Sequence, residues 1–213
     1  MNKKLAVLTA LGNIFIGLGI SILNLSSFGV DPFTSMTIGT SNLLGIGLGV
    51  FQMTFNILLY IPVLYFNRKA LGIGALINLF LMGYIIEFFM AVYAMFGITP
   101  ATFMTSLPLR LILVVIGIPV ICFGVALYMD CNLGVSPYDG VGPVVEKLTN
   151  GKVPFKYARI IQDIMFATIG FVTGILGNII TVGFATIIVA FGTGPIVDWF
   201  QRNITHKTTG QSM

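Results

Sequence analysis

The sequence predicts an all-α fold: a polytopic bundle of transmembrane helices whose six spans form two inverted-topology repeats of three. Three observations predict this fold. The 213-residue chain is 56% hydrophobic and 8% charged, whereas a soluble domain carries roughly a quarter charged residues. Apolar runs long enough to cross about 30 Å of hydrocarbon recur along the whole chain. Two short motifs of the first half also return in the same order in the second half.

The repeated motifs define a duplicated unit. Residues 29–33 (Gly-Val-Asp-Pro-Phe) return at 134–138 (Gly-Val-Ser-Pro-Tyr), and residues 83–89 return at 194–200. We therefore expect a single transmembrane domain over residues 1–213, with repeat 1 at about 5–96 and repeat 2 at about 109–200. Inverted repeats of this kind build many secondary transporters, whose binding sites lie between the two repeats.

Six apolar runs predict the spans, which we place at about 5–27, 49–66, 70–96, 109–130, 158–176 and 178–200. Breakers or charges separate the spans at 67–69, 99–108 and 177–178. The first run has no small-residue cleavage site after it, so we expect a retained helix rather than a signal peptide. Pro62 should kink the second span. Residues 1–4 and 201–213 are expected to be short polar tails.

Basic residues predict the orientation. With the N-terminus in the cytoplasm, only Arg110 lies outside. The ten basic residues on the inner side are Lys3, Lys4, Arg68, Lys69, Lys147, Lys152, Lys156, Arg159, Arg202 and Lys207. This bias follows the positive-inside rule and explains the net charge of +4 without nucleic-acid binding. Counting 31–45 as a span would place Arg68 and Lys69 outside, and that segment is too short to cross the membrane. Three spans per repeat give the halves opposite topology.

The first motif predicts a short helix in each half, at about 32–44 and 137–149. Asp31 and Ser136 are good N-cap residues, and prolines follow them in the first turn. Two arrangements remain open. The short helices can be half-helices that enter the membrane from opposite faces and point their N-termini at a shared site. They can instead lie flat at the interface and bridge two spans.

Candidate site residues follow from the first arrangement. The expected substrate-binding residues are Asp31, Thr34, Ser35, Ser136, Tyr138 and Asp139, and the expected structural residues of the motif are Gly29, Pro32, Gly134 and Pro137. Helix N-termini would supply positive potential and hydroxyl groups would orient a solute. Asp139 has an equally good structural role, because a carboxylate in the first turn of a helix is favoured by the helix dipole.

Carboxylates within the apolar runs are the next candidates, because burying a charge in a membrane is costly unless it is paired or wet. Glu87 and Asp198 occupy matching positions of the two repeats and could gate the two faces or carry protons. Alternatively, each lies at the interface, with Arg202 four residues beyond Asp198. Arg159 and Asp163 are spaced for an i,i+4 ion pair, which we interpret as structural or gating.

The remaining polar residues give weaker predictions. Asp130 is expected to face the lysine-rich loop, and His206 is expected to be solvated in the tail. Cys122 and Cys131 are expected to be packing residues, since two cysteines alone make no metal site. We expect no cofactor and no metal.

The second copy of the motif combines Gly134, Val135, Pro137, Tyr138 and Asp139, and the first keeps Gly29, Pro32 and Phe33 but has Thr34 in place of the aspartate. Glycine-containing segments at 72–75 and 183–186 precede the last span of each half. With these motifs the sequence resembles the YczE/YyaS/YitT family of bacterial membrane proteins over nearly its whole length. The resemblance implies six helices and a location in the bacterial plasma membrane, and it brings no established activity.

The sequence contains no constellation typical of an enzyme: no paired His/Cys metal spacing and no phosphate-binding glycine loop. We therefore expect a non-enzymatic protein, and the architecture favours a secondary transporter or permease for a small polar or charged solute. One alternative is a membrane regulator or accessory protein that binds a membrane protein partner or itself as a homo-oligomer. Another is the substrate-binding subunit of a multi-component importer. The expected partners are the lipid bilayer and a small solute, with no nucleic acid.

Overall fold

A computed structural model describes residues 3–66, 72–103, 106–134 and 136–209, without the side chains of residues 101, 103 and 156. The predicted basic turn at 67–69, Val135 and the side chain of Lys156 lie outside the described residues. The described residues form helices and no strand. The helices are α1 (Lys3–Ser26), α2 (Pro32–Leu44), α3 (Leu48–Phe66), α4 (Ile73–Met95), α5 (Pro100–Phe103), α6 (Leu107–Asp130), α7 (Pro137–Leu148), α8 (Phe155–Leu176), α9 (Phe184–Phe200) and α10 (His206–Thr209), with a π-helical turn at Gln201–Thr205 between the last two.

Six of these helical segments are long and apolar enough to cross a membrane: α1, α3, α4, α6, α8, and the segment from α9 through α10. Large apolar side chains cover their outer surface; Val115 is 70% exposed and Phe191 is 75% exposed. Apolar surface of this extent around long apolar helices is typical of a membrane-embedded protein. The prediction of an all-α membrane protein with six spans is confirmed, and α3 stays helical through Pro62.

Two boundaries differ from the prediction. The sixth span begins at Phe184 rather than at 178, because residues 179–183 are not helical and bind the loop after α1. The Val30 amide donates to the Thr181 carbonyl at 3.1 Å, and the Ala185 amide donates to the Phe28 carbonyl at 2.9 Å. Hydropathy detects the apolar run but not the helix start within it. The polar tail also differs, since the helix continues to Thr209.

Asp130 explains why the tail is helical. This carboxylate is only 3% exposed, so it needs hydrogen-bond donors. The Gln201 amide donates to it at 2.7 Å, the Thr205 hydroxyl also donates to it, and His206 Nε2 lies 3.3 Å away. The predictions that Asp130 faces the lysine-rich loop and that His206 is solvated are therefore wrong.

Small residues set the central packing of α1 against α6. A Cβ atom at Gly12 would lie 2.8 Å from the carbonyl oxygen of Gly124, and one at Gly124 would lie 2.6 Å from that of Gly12. The two backbones therefore touch directly, as small residues permit between membrane helices. Around this pair, α2 packs against α8 and α3 packs against α7. Each short helix thus contacts a long helix from the other half of the chain.

Candidate functional site

Both short helices begin as the sequence predicts. Asp31 caps α2, with the Thr34 amide donating to its Oδ1 at 3.0 Å, and Ser136 caps α7, with the Asp139 amide donating to its hydroxyl oxygen at 3.1 Å. The cap residues have φ and ψ angles of about −60° and 150–160°, and proline follows each of them. Gly29 and Gly134 have φ angles of +91° and +106°, which glycine adopts without strain.

The first turns of α2 and α7 meet inside the bundle. The rings of Phe33 and Tyr138 lie 4.9 Å apart, and each also contacts Phe166 in the middle of α8, at 5.7 Å. The last turns point elsewhere: the Asn42 amide donates to the carbonyl of Gly177, just beyond α8, and Lys147 donates to the carbonyl of Phe66, the last residue of α3. Each short helix therefore runs from the centre toward the end of a long helix.

A polar cavity of about 290 Å³ lies at the start of α2. Its walls come from four helices and both halves of the chain. The lining residues are Asp31 and Pro32, Tyr138, Arg159 and Asp163 of α8, and Val189, Ala190, Phe191, Thr193 and Gly194 of α9. The side chain of Arg159 is 31% exposed, so the cavity opens toward the end of the molecule where α8 begins.

Arg159 organises the charges of the cavity. Its guanidinium lies 2.6 Å from Asp139 and 3.4 Å from Asp163, and it stacks over the ring of Tyr138 at 4.1 Å. The predicted ion pair with Asp163 is confirmed. The hydroxyl of Tyr138 donates to Asp163, and Gln162 donates to the Tyr138 carbonyl at 3.0 Å. These contacts fix the orientation of the tyrosine ring at the cavity wall.

Asp31 differs from the other carboxylates of the cavity. One oxygen, Oδ1, accepts the capping hydrogen bond. The other, Oδ2, is buried and has no hydrogen-bond partner among the described residues. Burial raises the pKa of the Asp31 carboxyl, and the hydrogen bonds from Thr34 oppose this rise only in part. Asp31, which lines the cavity, therefore has one buried oxygen that lacks a donor among the described residues.

Only some of the predicted contacts line the cavity. Asp31 and Tyr138 do, and Asp139 reaches it through Arg159. Ser35 is fully buried and donates to the Thr181 carbonyl at 2.7 Å. Thr34 is buried, with its amide used by the cap, and the Ser136 hydroxyl donates to Asp139 at 2.6 Å. These three residues hold the backbone in place rather than facing the cavity.

Arg159, Asp163 and the α9 wall are the lining residues that sequence reasoning did not assign to the site. The available signal was the pair of opposite charges four residues apart inside an apolar span. That spacing is fully explained by a local ion pair. It therefore did not indicate that residues of the first half of the chain lie beside Arg159 and Asp163.

Glu87 and Asp198 lie apart from this cavity. A Glu87 oxygen accepts a hydrogen bond from the Gly49 amide at 3.1 Å, in the first turn of α3. Glu87 also lines a second cavity of about 530 Å³ near the last turn of α2, together with Asn42 and Asn178. Asp198 is exposed and pairs with Arg202 at 3.0 Å. The two carboxylates thus have different surroundings despite their matching positions in the sequence.

The other half of the molecule holds a neutral polar cluster. Gln52 and Asn56 of α3 are 2% and 1% exposed. Gln52 Oε1 and both amide atoms of Asn56 lack a partner within the described part of the chain. Close by in α1 and α4, the Asn78 amide donates to Asn13 at 3.1 Å. No group of three or more metal-ligating side chains occurs among the described residues, and the described thiols of Cys122 and Cys131 are buried.

Comparisons with known proteins place the chain among bacterial membrane proteins without a known activity. The model of DUF6198, a family of unknown function, matches residues 3–202. The chain is 26% identical over 145 residues to the uncharacterized protein YyaS of Bacillus subtilis, covering 68% of this chain and 70% of that protein. It is 26% identical over 187 residues to the uncharacterized membrane protein YczE of the same organism, covering 87% and 80%. An uncharacterized protein of Haemophilus influenzae is 29% identical over 187 residues, covering 87% and 78%.

These relatives confirm the resemblance to the YczE and YyaS proteins that the repeated motif indicates. No solved structure matches the chain. Function therefore has to be argued from the arrangement of the residues themselves.

Proposed function

The chain belongs to DUF6198, a family of unknown function, and we propose that it is a secondary transporter or permease for a small polar or charged solute. One observation carries the proposal: two short helices from the two halves begin at one central point, beside a polar cavity lined by both halves. Helix N-termini carry partial positive charge and often point at substrate in carriers built from broken helices. We infer transport rather than catalysis.

The directions of the short helices support a re-entrant arrangement. In the order of the six spans, α3 is the second and α8 is the fifth, so they cross the membrane in opposite directions. Since α2 ends beside the end of α8 and α7 beside the end of α3, the short helices run from the centre toward opposite faces. Helices lying flat at the interfaces would not meet at Phe33 and Tyr138.

The packing also supports two inverted repeats. The first long helix of one half, α1, packs against its counterpart α6, while α2 with α8 and α3 with α7 form matching pairs. We further propose a bacterial plasma-membrane location with both termini in the cytoplasm, on the basis of the basic residues. In that orientation the 290 Å³ cavity opens to the cytoplasm and the 530 Å³ cavity opens outward.

Side-specific labelling of single cysteines tests the proposal. Ala190→Cys reports on the inner cavity, because Ala190 lines it and is half-buried. Asn42→Cys reports on the outer cavity, where Asn42 is exposed. The background replaces the buried Cys122 and Cys131 by alanine. Val115→Cys, 70% exposed in the middle of α6, is the lipid-facing control that a charged reagent cannot reach.

A transporter predicts that Ala190→Cys reacts with a membrane-impermeant charged reagent from the cytoplasmic side. In some condition of pH or added solute its reactivity falls while that of Asn42→Cys rises from outside. Reactivity that is identical in every condition contradicts transport. The two cavities would then be fixed surface clefts, and binding of a membrane protein partner would become the function to test by copurification.

A further inference from the structure

We propose that the 290 Å³ cavity binds a small organic cation whose ammonium group pairs with Asp31. The inference deepens the proposed function, on which it rests for the direction of movement. It concerns binding, however, and can be tested without transport. Three features of the cavity support it: its charge balance, the position of the free Asp31 oxygen, and its apolar wall.

The described charges in and around the cavity are unbalanced. Three carboxylates, Asp31, Asp139 and Asp163, stand against one guanidinium, that of Arg159. Arg159 is engaged by Asp139 and Asp163 and by the ring of Tyr138. Asp31 has no ion-pair contact with it. A further positive charge would restore part of the balance, whereas an anion would add to the repulsion.

Among the three carboxylates, Asp31 is the one that we expect to bind the positive charge. Asp31 lines the cavity. Its capping hydrogen bond occupies Oδ1, while Oδ2 is buried without a donor in the described part of the protein. A buried carboxylate oxygen without a donor is costly. An ammonium group supplies both a donor and the opposite charge, which makes a charge-assisted hydrogen bond.

The walls favour an organic cation over a metal ion. Pro32 and the α9 residues Val189 and Ala190 give one side of the cavity an apolar surface. Hard metal ions need about six oxygen ligands, and the described residues hold no group of three or more His, Cys, Asp or Glu side chains that could supply them. A short hydrocarbon chain packs well against the apolar surface. The volume of about 290 Å³ lies at the lower end for ligand pockets, which implies a small solute.

Protons compete with the cation for the same oxygen. Below its pKa the Asp31 carboxyl carries a proton, which it must release to solvent before the carboxylate can pair with the ammonium group. The charged or titratable groups facing Asp31 are Arg159 and Asp163 of α8 and Tyr138 of α7, and the α9 wall contributes none. Because burial raises the pKa of Asp31, the affinity for the cation should fall as the pH is lowered through that raised value.

The experiment compares three probes of matched size: propylammonium, propionate and 1-propanol. Dissociation constants are obtained from ligand-dependent thermal unfolding of the purified full chain in detergent. The test variant is Asp31→Asn, since asparagine keeps the N-cap acceptor. Asp198→Asn is the matched control, because it removes an exposed carboxylate from a surface pair. Equal melting temperatures without ligand show that the variants are folded.

We expect propylammonium to bind the wild-type protein and the control equally, and to bind Asp31→Asn at least about tenfold more weakly, one charge-assisted pair being lost. Affinity should be higher at pH 8 than at pH 5. Tighter binding of propionate, no binding of propylammonium, or equal affinity in Asp31→Asn overturns the cation site.

The outcomes separate this inference from the proposed function. Asp31-dependent binding of propylammonium with fixed cysteine reactivity leaves the cation site and removes transport. Alternating cysteine reactivity with preference for propionate leaves transport and removes the cation site.

Discussion

The start of α2 and the start of α7 share one backbone plan and differ in charge. Both have a cap, a proline and an aromatic residue in order, and the aromatic residues contact each other. Yet the first cap is Asp31, with a free buried oxygen, and the second is Ser136, whose hydroxyl is already bonded to Asp139. The duplicated backbone therefore presents a charged acceptor in one half and a satisfied hydroxyl in the other.

The long helices beside the two starts differ in the same way. A Cβ atom at Gly170 of α8 would meet the backbone of Met36, and one at Gly140 would meet Val63 of α3, each at 2.7 Å. When α8 is aligned with α3 so that Gly170 matches Val63, Gln52 is equivalent to Arg159 and Asn56 is equivalent to Asp163.

The difference shows which part of the molecule holds the charged residues. The half with Arg159 and Asp163 has the 290 Å³ polar cavity, while Gln52 and Asn56 are at most 2% exposed. Neutral amides cost less to bury than charges do. The symmetry of the backbone is therefore compatible with a site whose charges are concentrated where the start of α2 lies beside α8.

The largest effect on stability should come from removing the cation of the charged cluster. Arg159→Gln leaves Asp139 and Asp163 without their cation and should lower the free energy of unfolding by about 2–3 kcal/mol, less than for a fully buried pair because the guanidinium is partly exposed. Arg159→Gln combined with Asp163→Asn copies the amides of α3 and should recover part of that loss. Thermal unfolding in detergent measures both. A double variant less stable than the sum of its single variants contradicts this coupling.

A smaller effect should come from the neutral side. Asn56→Leu replaces an amide that has no hydrogen-bond partner among the described residues by an apolar side chain of similar size. The free energy of unfolding should therefore stay equal or rise by about 1 kcal/mol. Gln52→Leu is the neighbouring comparison on the same face. A loss above about 1 kcal/mol for Asn56→Leu would mean that ordered water satisfies the amide in the folded protein.

The smallest effects should distinguish the two matching carboxylates. Glu87→Gln weakens the hydrogen bond to the Gly49 amide and should lower the free energy of unfolding by about 0.5–1 kcal/mol. Asp198→Asn removes an exposed ion pair and should change it by less than about 0.5 kcal/mol. Denaturation of both variants beside the wild-type protein tests this order. The reverse order would assign the supporting role to Asp198.

Local signals in the sequence predicted much of this arrangement. Asp31 and Ser136 cap helices because a cap depends only on neighbouring residues, and the spans follow from hydropathy. That Asp31 and Arg159 line the same cavity could not be predicted, because the two residues come from different halves. The helical tail was missed for a similar reason: its stabilising partner, Asp130, lies far away in the sequence.

The glycine contacts have a mechanical consequence. Where backbones touch, as at Gly12 with Gly124 and at Gly170 with Met36, helices have no side-chain layer through which to slide. We therefore expect the α1–α6 pair to stay rigid and α2 to move together with α8. The α3–α7 pair, joined through Gly140 and Val63, should move as a second rigid unit. We expect any widening of the cavity to occur by rotation of these two units about the α1–α6 pair rather than by bending within them.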